Sequence, residues 1–151
     1  MAGVEAEFLV MKKPKLFASV VLSISIVLAS AICSPAQTEK RLTSTPKAFQ
    51  AFYAKFKSAV LRGDRQAVAS MTSFPFQYGW DAGDEGTYTR SQFLRKYNDI
   101  FRGTRRLFGQ ANPKFYVDGS SFGLTDTTDA SHYGFEKKHG AYFFTSFIVE
   151  P

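Results

Sequence analysis

Few residues in this chain are of a type and spacing suited to chemistry. Asp81, Asp84 and Glu85 fall together in DAGDEG, and clustered carboxylates are the raw material of a hard-cation site. The spacing opposes that reading. Position 83, where a calcium loop needs an oxygen ligand, is Gly83, and no bidentate glutamate follows at the required distance. The stretch reads as a solvated turn in which Gly83 and Gly86 supply positive φ. His132 and His139 are the only histidines. His139 sits in KKHG, a turn sequence. His132 stands near a strand start, from which an imidazole can enter a pocket as a general base. No cysteine lies near either, and no HExxH spacing occurs, so no metal centre is expected. Asp118 and Asp126 are the other carboxylates that could reach a pocket. Asp118-Gly119 reads better as a turn, and Asp126 belongs to the polar run TDTTDAS. His132 and Asp118 thus remain the catalytic candidates, without an oriented partner for either. Arg102, Arg105 and Arg106, with Arg95 and Lys96 upstream, form a basic cluster. It suits an anionic ligand or polymer, or simply a solvated helix end. No phosphate-cradling glycine loop and no GxSxG elbow is present, and no cofactor is expected.

The elements that must position these residues are legible from periodicity. Residues 37–45, QTEKRLTST, read as a polar lead-in. Thr45-Pro46 predicts a helix start, with Phe49, Phe52, Phe56 and Val60 as its apolar stripe. Gly63 ends that helix and Asp64 caps a short second one, burying Val68 and Met71. In SFPFQYGW, Phe74, Phe76, Tyr78 and Trp80 recur with a period of two, predicting a strand with one aromatic face. Pro75 cannot donate to a ladder, which places it at the start or edge of that strand. Thr89-Arg90-Ser91-Gln92 is a capping box. The helix behind it buries Phe93, Leu94, Tyr97, Ile100 and Phe101. Thr104 caps a further helical turn. A hairpin around Asp118-Gly119 and two longer strands joined at residues 137–140 complete the chain. Helices followed by antiparallel strands make an α+β class, a curved antiparallel sheet closing over one long helix.

The chain has 151 residues and a net charge of +6. Lys12, Lys13 and Lys15 precede a 17-residue apolar run, Leu16 to Ile32, and CSPAQ follows with small residues at Ser34 and Ala36. This is the pattern of a signal peptide cleaved after Ala36, with translation expected to begin at Met11. An uncleaved anchor is the alternative, and only then is a membrane contact expected. Ile32 and Ser30 depart from the lipoprotein pattern around Cys33. Cleavage leaves 115 residues, a net charge of +5 and no cysteine. A periplasmic or secreted location follows, and the fold must be held by its core without disulfides. Nucleic acid is not expected as a partner, since the leader directs the chain away from it.

The order of these elements, with FYAKFKSAVLRGDRQAVASMTSFPF at 52–76, TRSQFLRKYNDIF at 89–101 and the final strand pair at 131–149, resembles the nuclear-transport-factor-2-like superfamily. Ketosteroid isomerase and SnoaL-like cyclases belong to it, as do many small secreted domains. The resemblance implies a cone-shaped, cystatin-like roll over residues 46–151 with a pocket between the long helix and the concave sheet. It implies a lining drawn from Phe49, Phe52, Phe56, Tyr78, Trp80, Tyr97 and the late-strand aromatics, with Phe52, Phe56, Tyr78, Trp80 and Tyr97 as the ligand contacts, and a homodimer formed through the sheet. The isomerases' strand aspartate and oxyanion pair cannot be matched here residue by residue. The expectation is a non-catalytic domain that holds a small apolar or anionic ligand, or a protein partner. The alternative is a small lyase or isomerase using a pocket His or Asp as base.

Overall fold

The computed structural model describes residues 37–80 and 83–150. The signal-peptide expectation for residues 1–36, and Asp81 of the acidic stretch, lie outside them. Among the described residues, eleven strands and α-helices follow in order, with one 3-10 turn (Leu42–Ser44) between the first two: β1 (Thr38–Arg41), α1 (Lys47–Arg62), α2 (Arg65–Ser70), β2 (Thr72–Trp80), β3 (Asp84–Tyr88), α3 (Arg90–Ile100), α4 (Arg105–Gly109), β4 (Lys114–Asp118), β5 (Ser121–Asp126), β6 (Ser131–Lys138) and β7 (Ala141–Val149). The strands form one curved, unclosed sheet in the order β1-β4-β5-β6-β7-β2-β3. The architecture is α+β, with the helices layered on one sheet face.

Two expectations about the sheet are corrected. It is mixed rather than antiparallel: β2 runs parallel to β7, pairing Tyr78 with Phe147 and Gly79 with Ile148. The polar lead-in is also a strand. Thr38–Arg41 pairs antiparallel with β4, and its charged, fully exposed side chains suit an unpaired sheet edge. Pro75 lies in the first half of β2, before the β2–β3 ladder begins at Phe76. It follows a cis peptide bond and sits where the β2–β7 register shifts, between Thr72 and Gln77. The missing donor therefore falls where neither ladder needs one.

The helix ends follow local chemistry. Gly63 takes φ +69° at the end of α1, and Asp64 accepts a hydrogen bond from the Ala67 amide to start α2. At α3 the Thr89 and Gln92 side chains cap each other's backbone reciprocally. Two predicted caps do not form. Pro46 itself is the N-cap of α1, while the Thr45 hydroxyl donates to the Leu42 carbonyl at 2.7 Å. The Thr104 hydroxyl likewise turns back to donate to the Phe101 carbonyl.

The core is mostly aromatic. On α1 the buried stripe is Phe49, Tyr53, Phe56, Ala59 and Val60, with Phe52 at its margin. On α2 the buried pair is Val68 and Ala69, with Met71 only half-buried. Phe49 stacks on Phe122 at 4.0 Å, and Phe56 meets Phe144 at 5.0 Å and Phe135 at 5.2 Å. Each such ring, taken out of water, contributes on the order of 2 kcal/mol before any ring-pair geometry is counted. That burial ties α1 to β5, β6 and β7 and fixes the concave side of the sheet.

Candidate functional site

Beyond the aromatic core, the concave side opens into a cleft of about 800 Å³. It lies where the ends of β2, β3, β6 and β7 meet the C-terminal half of α3. The period-two alternation of β2 points Tyr78 and Trp80 into it. β3 contributes Tyr88 and Asp84, α3 contributes Lys96, Asp99 and Ile100, and β6 and β7 contribute Tyr133, Phe147 and Val149. Arg102 and Asp129 complete the rim from flanking turns.

The floor is a connected set of rings. Tyr78 stacks on Tyr88 with centroids 4.0 Å apart and 9° between planes. The Trp80 indole N–H donates to the Tyr88 hydroxyl at 3.0 Å. Trp80 meets Phe147 edge-on at 5.0 Å, and Phe147 meets Tyr133 at 5.2 Å. The Tyr133 hydroxyl donates to the Ile100 carbonyl at 3.1 Å, tying the floor to α3. Burial pushes the Tyr133 phenol well above the usual tyrosine range. Tyr78 is raised too, by desolvation first and then by the negative charge of Asp84.

The rim is charged and largely self-paired. Asp99 holds Lys96 at 3.2 Å and Arg102 at 3.4 Å. Asp129 accepts from the amide and the hydroxyl of Ser131. No imidazole and no thiol lines the cleft. Among the described residues, no three His, Cys, Asp or Glu side chains converge as metal ligands. The arrangement suits binding: a flat apolar body against the rings, with polar ends at the rim.

Of the six lining residues named from the resemblance, only Tyr78 and Trp80 line this cleft, and Phe49 is fully buried in the core. Phe56 is fully buried among Phe101, Phe108, Phe135 and Phe144 and serves packing alone. Phe52 sits at the outer margin of the core near Tyr142, with rings 6.2 Å apart. Tyr97 is buried on α3, under the Arg65 guanidinium, and borders a separate surface hollow. Phe52 and Phe56, both on α1, share one reason. A helical stripe identifies residues facing inward, but the sheet face above α1 is already filled by Phe115, Phe122 and Phe135.

The catalytic candidates fall elsewhere. His132 alternates with the buried Ser131 and Tyr133, so it faces away from the helices. Its Nδ1 is 2.9 Å from the Thr125 hydroxyl, and its Nε2 is 3.2 Å from the Glu150 carboxylate. It does not enter the cleft. Asp118 ends β4 at the hairpin, exposed, beside a hollow of about 250 Å³ on the outer sheet face. Asp126 is buried and structural: it accepts from Arg106 and from the Thr128 amide, both at 3.0 Å, joining α4 to the β5–β6 loop. Arg106 also contacts the Thr128 hydroxyl. Of the acidic stretch, Asp84, Glu85 and Gly86 belong to β3 rather than to a turn.

Of the late-strand aromatics that the resemblance implies, Tyr133 and Phe147 line the cleft, whereas Tyr88 and Ile100 are not among the expected lining residues. The alternation in SHYGFEKK places Tyr133 on the inner face. Nothing local shows that Phe147 stands beside Tyr78, because that depends on the parallel β2–β7 pair.

No protein-family profile matches the chain, and no curated protein matches it. Solved structures do. An NTF-2-like protein of unknown function from Silicibacter pomeroyi DSS-3 aligns over 67% of this chain and 90% of its own at 18% identity, with a TM-score of 0.40. An NTF2-like protein of unknown function from Cytophaga hutchinsonii ATCC 33406 aligns over 70% and 91% at 10% identity, TM-score 0.41. An NTF2-like protein with a cystatin-like fold from Novosphingobium aromaticivorans aligns over 68% and 79% at 10% identity, TM-score 0.39. These are proteins of the superfamily that the sequence resembles. The α+β assignment itself rests on this chain's own strand order and pairing.

Proposed function

We propose that this chain is an exported, non-catalytic binding domain that holds a small, flat, largely apolar ligand in the cleft between β2, β7 and α3. The observation that supports this is the composition of the cleft. Its floor is Tyr78, Trp80, Tyr88, Tyr133 and Phe147, and its charged groups stand at the rim. Trp80 is the chain's only tryptophan, so its emission reports the cleft alone. Titration with planar apolar probes, anilinonaphthalene sulfonate among them, is expected to quench or shift that emission with saturation. The Tyr133→Leu variant is expected to weaken the effect. Emission indifferent to every probe would remove the reading.

The catalytic alternative is a small lyase or isomerase with a cleft carboxylate as base. His132 and Asp118 cannot serve it, and the role passes to Asp84 or Asp129, which border the cleft. Turnover abolished by Asp84→Asn or Asp129→Asn, with the fold intact, would favour this alternative.

Location and assembly are part of the proposal. Residues 1–36 direct export, and N-terminal sequencing of the exported product is expected to begin at Gln37. A homodimer through the sheet is supported by Tyr116 and Ile148, exposed large hydrophobics that both lie on the outer face. Sedimentation of the wild type against Ile148→Asp tests it: a dimer that dissociates in the variant supports the contact.

A further inference from the structure

The charges of this protein are sorted by layer. The four helices carry ten lysines and arginines against one acid, Asp99. Over the rest of residues 37–151 the balance reverses, with ten acids against six cations. Because all four helices cover the same side of the sheet, one side of the molecule is strongly basic. Several of its cations are tied down: Arg65 to Asn98, Arg90 to Gln66, and Lys96 to Asp99. Others have no partner among the described residues. Lys55, Arg95 and Arg105 are exposed and make no ion pair or hydrogen bond there.

The relief of this side is suited to small anionic groups. Two hollows adjoin across Arg62, which lines both. One, of about 520 Å³ between α1 and α2, holds Lys55 and Ser58. The other, of about 510 Å³ between the ends of α1 and α3, holds Arg102 and Arg105. Arg62 donates to the Ser58 hydroxyl at 2.5 Å, and its only ion pair among the described residues is a long one, 4.0 Å from Asp64.

We propose that the helix side of this domain is a docking face for an anionic phospholipid bilayer, with Lys55, Arg62, Arg95, Arg102 and Arg105 contacting lipid phosphates. Charge complementarity carries the proposal, since each lysine or arginine near an anionic bilayer adds to attraction that salt screens. The apolar run at 16–32 adds to it. Cleaved or kept, that run brings the chain to a bilayer during its synthesis. Nucleic acid is the less suited polyanion. Outside the cleft, where Lys96 and Arg102 border Tyr78 and Trp80, the described residues expose no large aromatic on this side, so Lys55, Arg62, Arg95 and Arg105 have no exposed ring beside them to stack bases.

The test uses the full chain with two vesicle compositions, pure phosphatidylcholine and phosphatidylcholine with one third phosphatidylglycerol. Cosedimentation is measured at low salt and at about half-molar salt. The apolar run contributes to binding in both compositions, so the readout is the difference between them. The protein is expected to prefer anionic vesicles strongly at low salt and to lose most of that preference at high salt. The variant Lys55→Glu/Arg95→Glu/Arg105→Glu leaves the leader lysines untouched. It is expected to lower the preference at least about tenfold, with circular dichroism confirming an unchanged fold. Equal binding to the two vesicle types overturns the proposal. So does an anionic preference that the triple variant retains. Tight, variant-sensitive binding to DNA without a preference for phosphatidylglycerol would assign the face to nucleic acid instead.

Discussion

The ring of Tyr78 lies across Gly86, its register partner on the edge strand β3. A Cβ at position 86 would stand 3.0 Å from the Tyr78 phenol oxygen and 3.2 Å from two of its ring carbons. The glycine therefore gives the tyrosine its place, and that place sets the stack on Tyr88 that forms part of the cleft floor.

Gly86→Val is expected to push Tyr78 off Tyr88 and into the cleft. Probe affinity at the cleft should fall about tenfold, and stability should change by no more than about 1 kcal/mol, because position 86 is exposed and valine favours a strand. Trp80 emission titrations and urea unfolding separate the two effects.

Tyr88→Phe removes the acceptor of the Trp80 indole while keeping the ring. The expected cost is about 1 kcal/mol, the usual value for one part-buried hydrogen bond. A shift in Trp80 emission should accompany it, since the indole N–H must find another partner.

High pH should unfold the protein through its buried phenols. Tyr53 and Tyr133 have their pKa values raised far above the ordinary 10, chiefly by burial. The folded state therefore keeps these protons where the unfolded chain releases them. The corresponding stability is complete below about pH 10 and falls as pH rises further, by roughly 1.4 kcal/mol per pH unit for each phenol. Tyr53 also has no hydrogen-bond partner for its hydroxyl among the described residues. Tyr53→Phe is thus expected to be neutral or stabilising by about 1 kcal/mol at pH 7 and to shallow the alkaline loss. Thermal melts between pH 7 and 11.5, with absorbance at tyrosinate wavelengths, check both statements.

Phe56→Ala should be severe. The ring is fully buried and contacts aromatic side chains from α4, β6 and β7. A loss of about 3–5 kcal/mol is expected. By contrast, Thr89→Ala breaks one capping box at the protein surface and should cost about 1 kcal/mol. Chemical denaturation of the two variants side by side gives the contrast.

The difference between these sites also explains what could be read from the sequence. Helices α1, α2 and α3 were legible because their signals are local: a stripe at spacings of three and four, Gly63 followed by Asp64, and a capping box. The alternation that fixed the face of Tyr78 and Trp80 is local as well. β1 escaped notice because an edge strand with solvent on every side chain needs no apolar pattern, and TEKR has none. Phe52 and Phe56 were misplaced for a different reason. Their spacing identified an inward face, but whether an inward ring meets a cavity or another ring depends on residues 45 to 90 positions away. The layer of basic residues was visible as a cluster around Arg102. Its extent emerged only when the four helices were seen to share one side.

The parallel pairing of β2 with β7 has a temporal consequence. Trp80 and Phe147, which meet in the cleft, are separated by nearly half the chain, so the helices and the central hairpins are all synthesised before this contact can form. The cleft is then the last part of the domain to be completed. A chain moving across a membrane from its N-terminus would be unable to capture a ligand until its final strand had emerged on the far side. Ligand held in the cleft would mark molecules whose passage is finished.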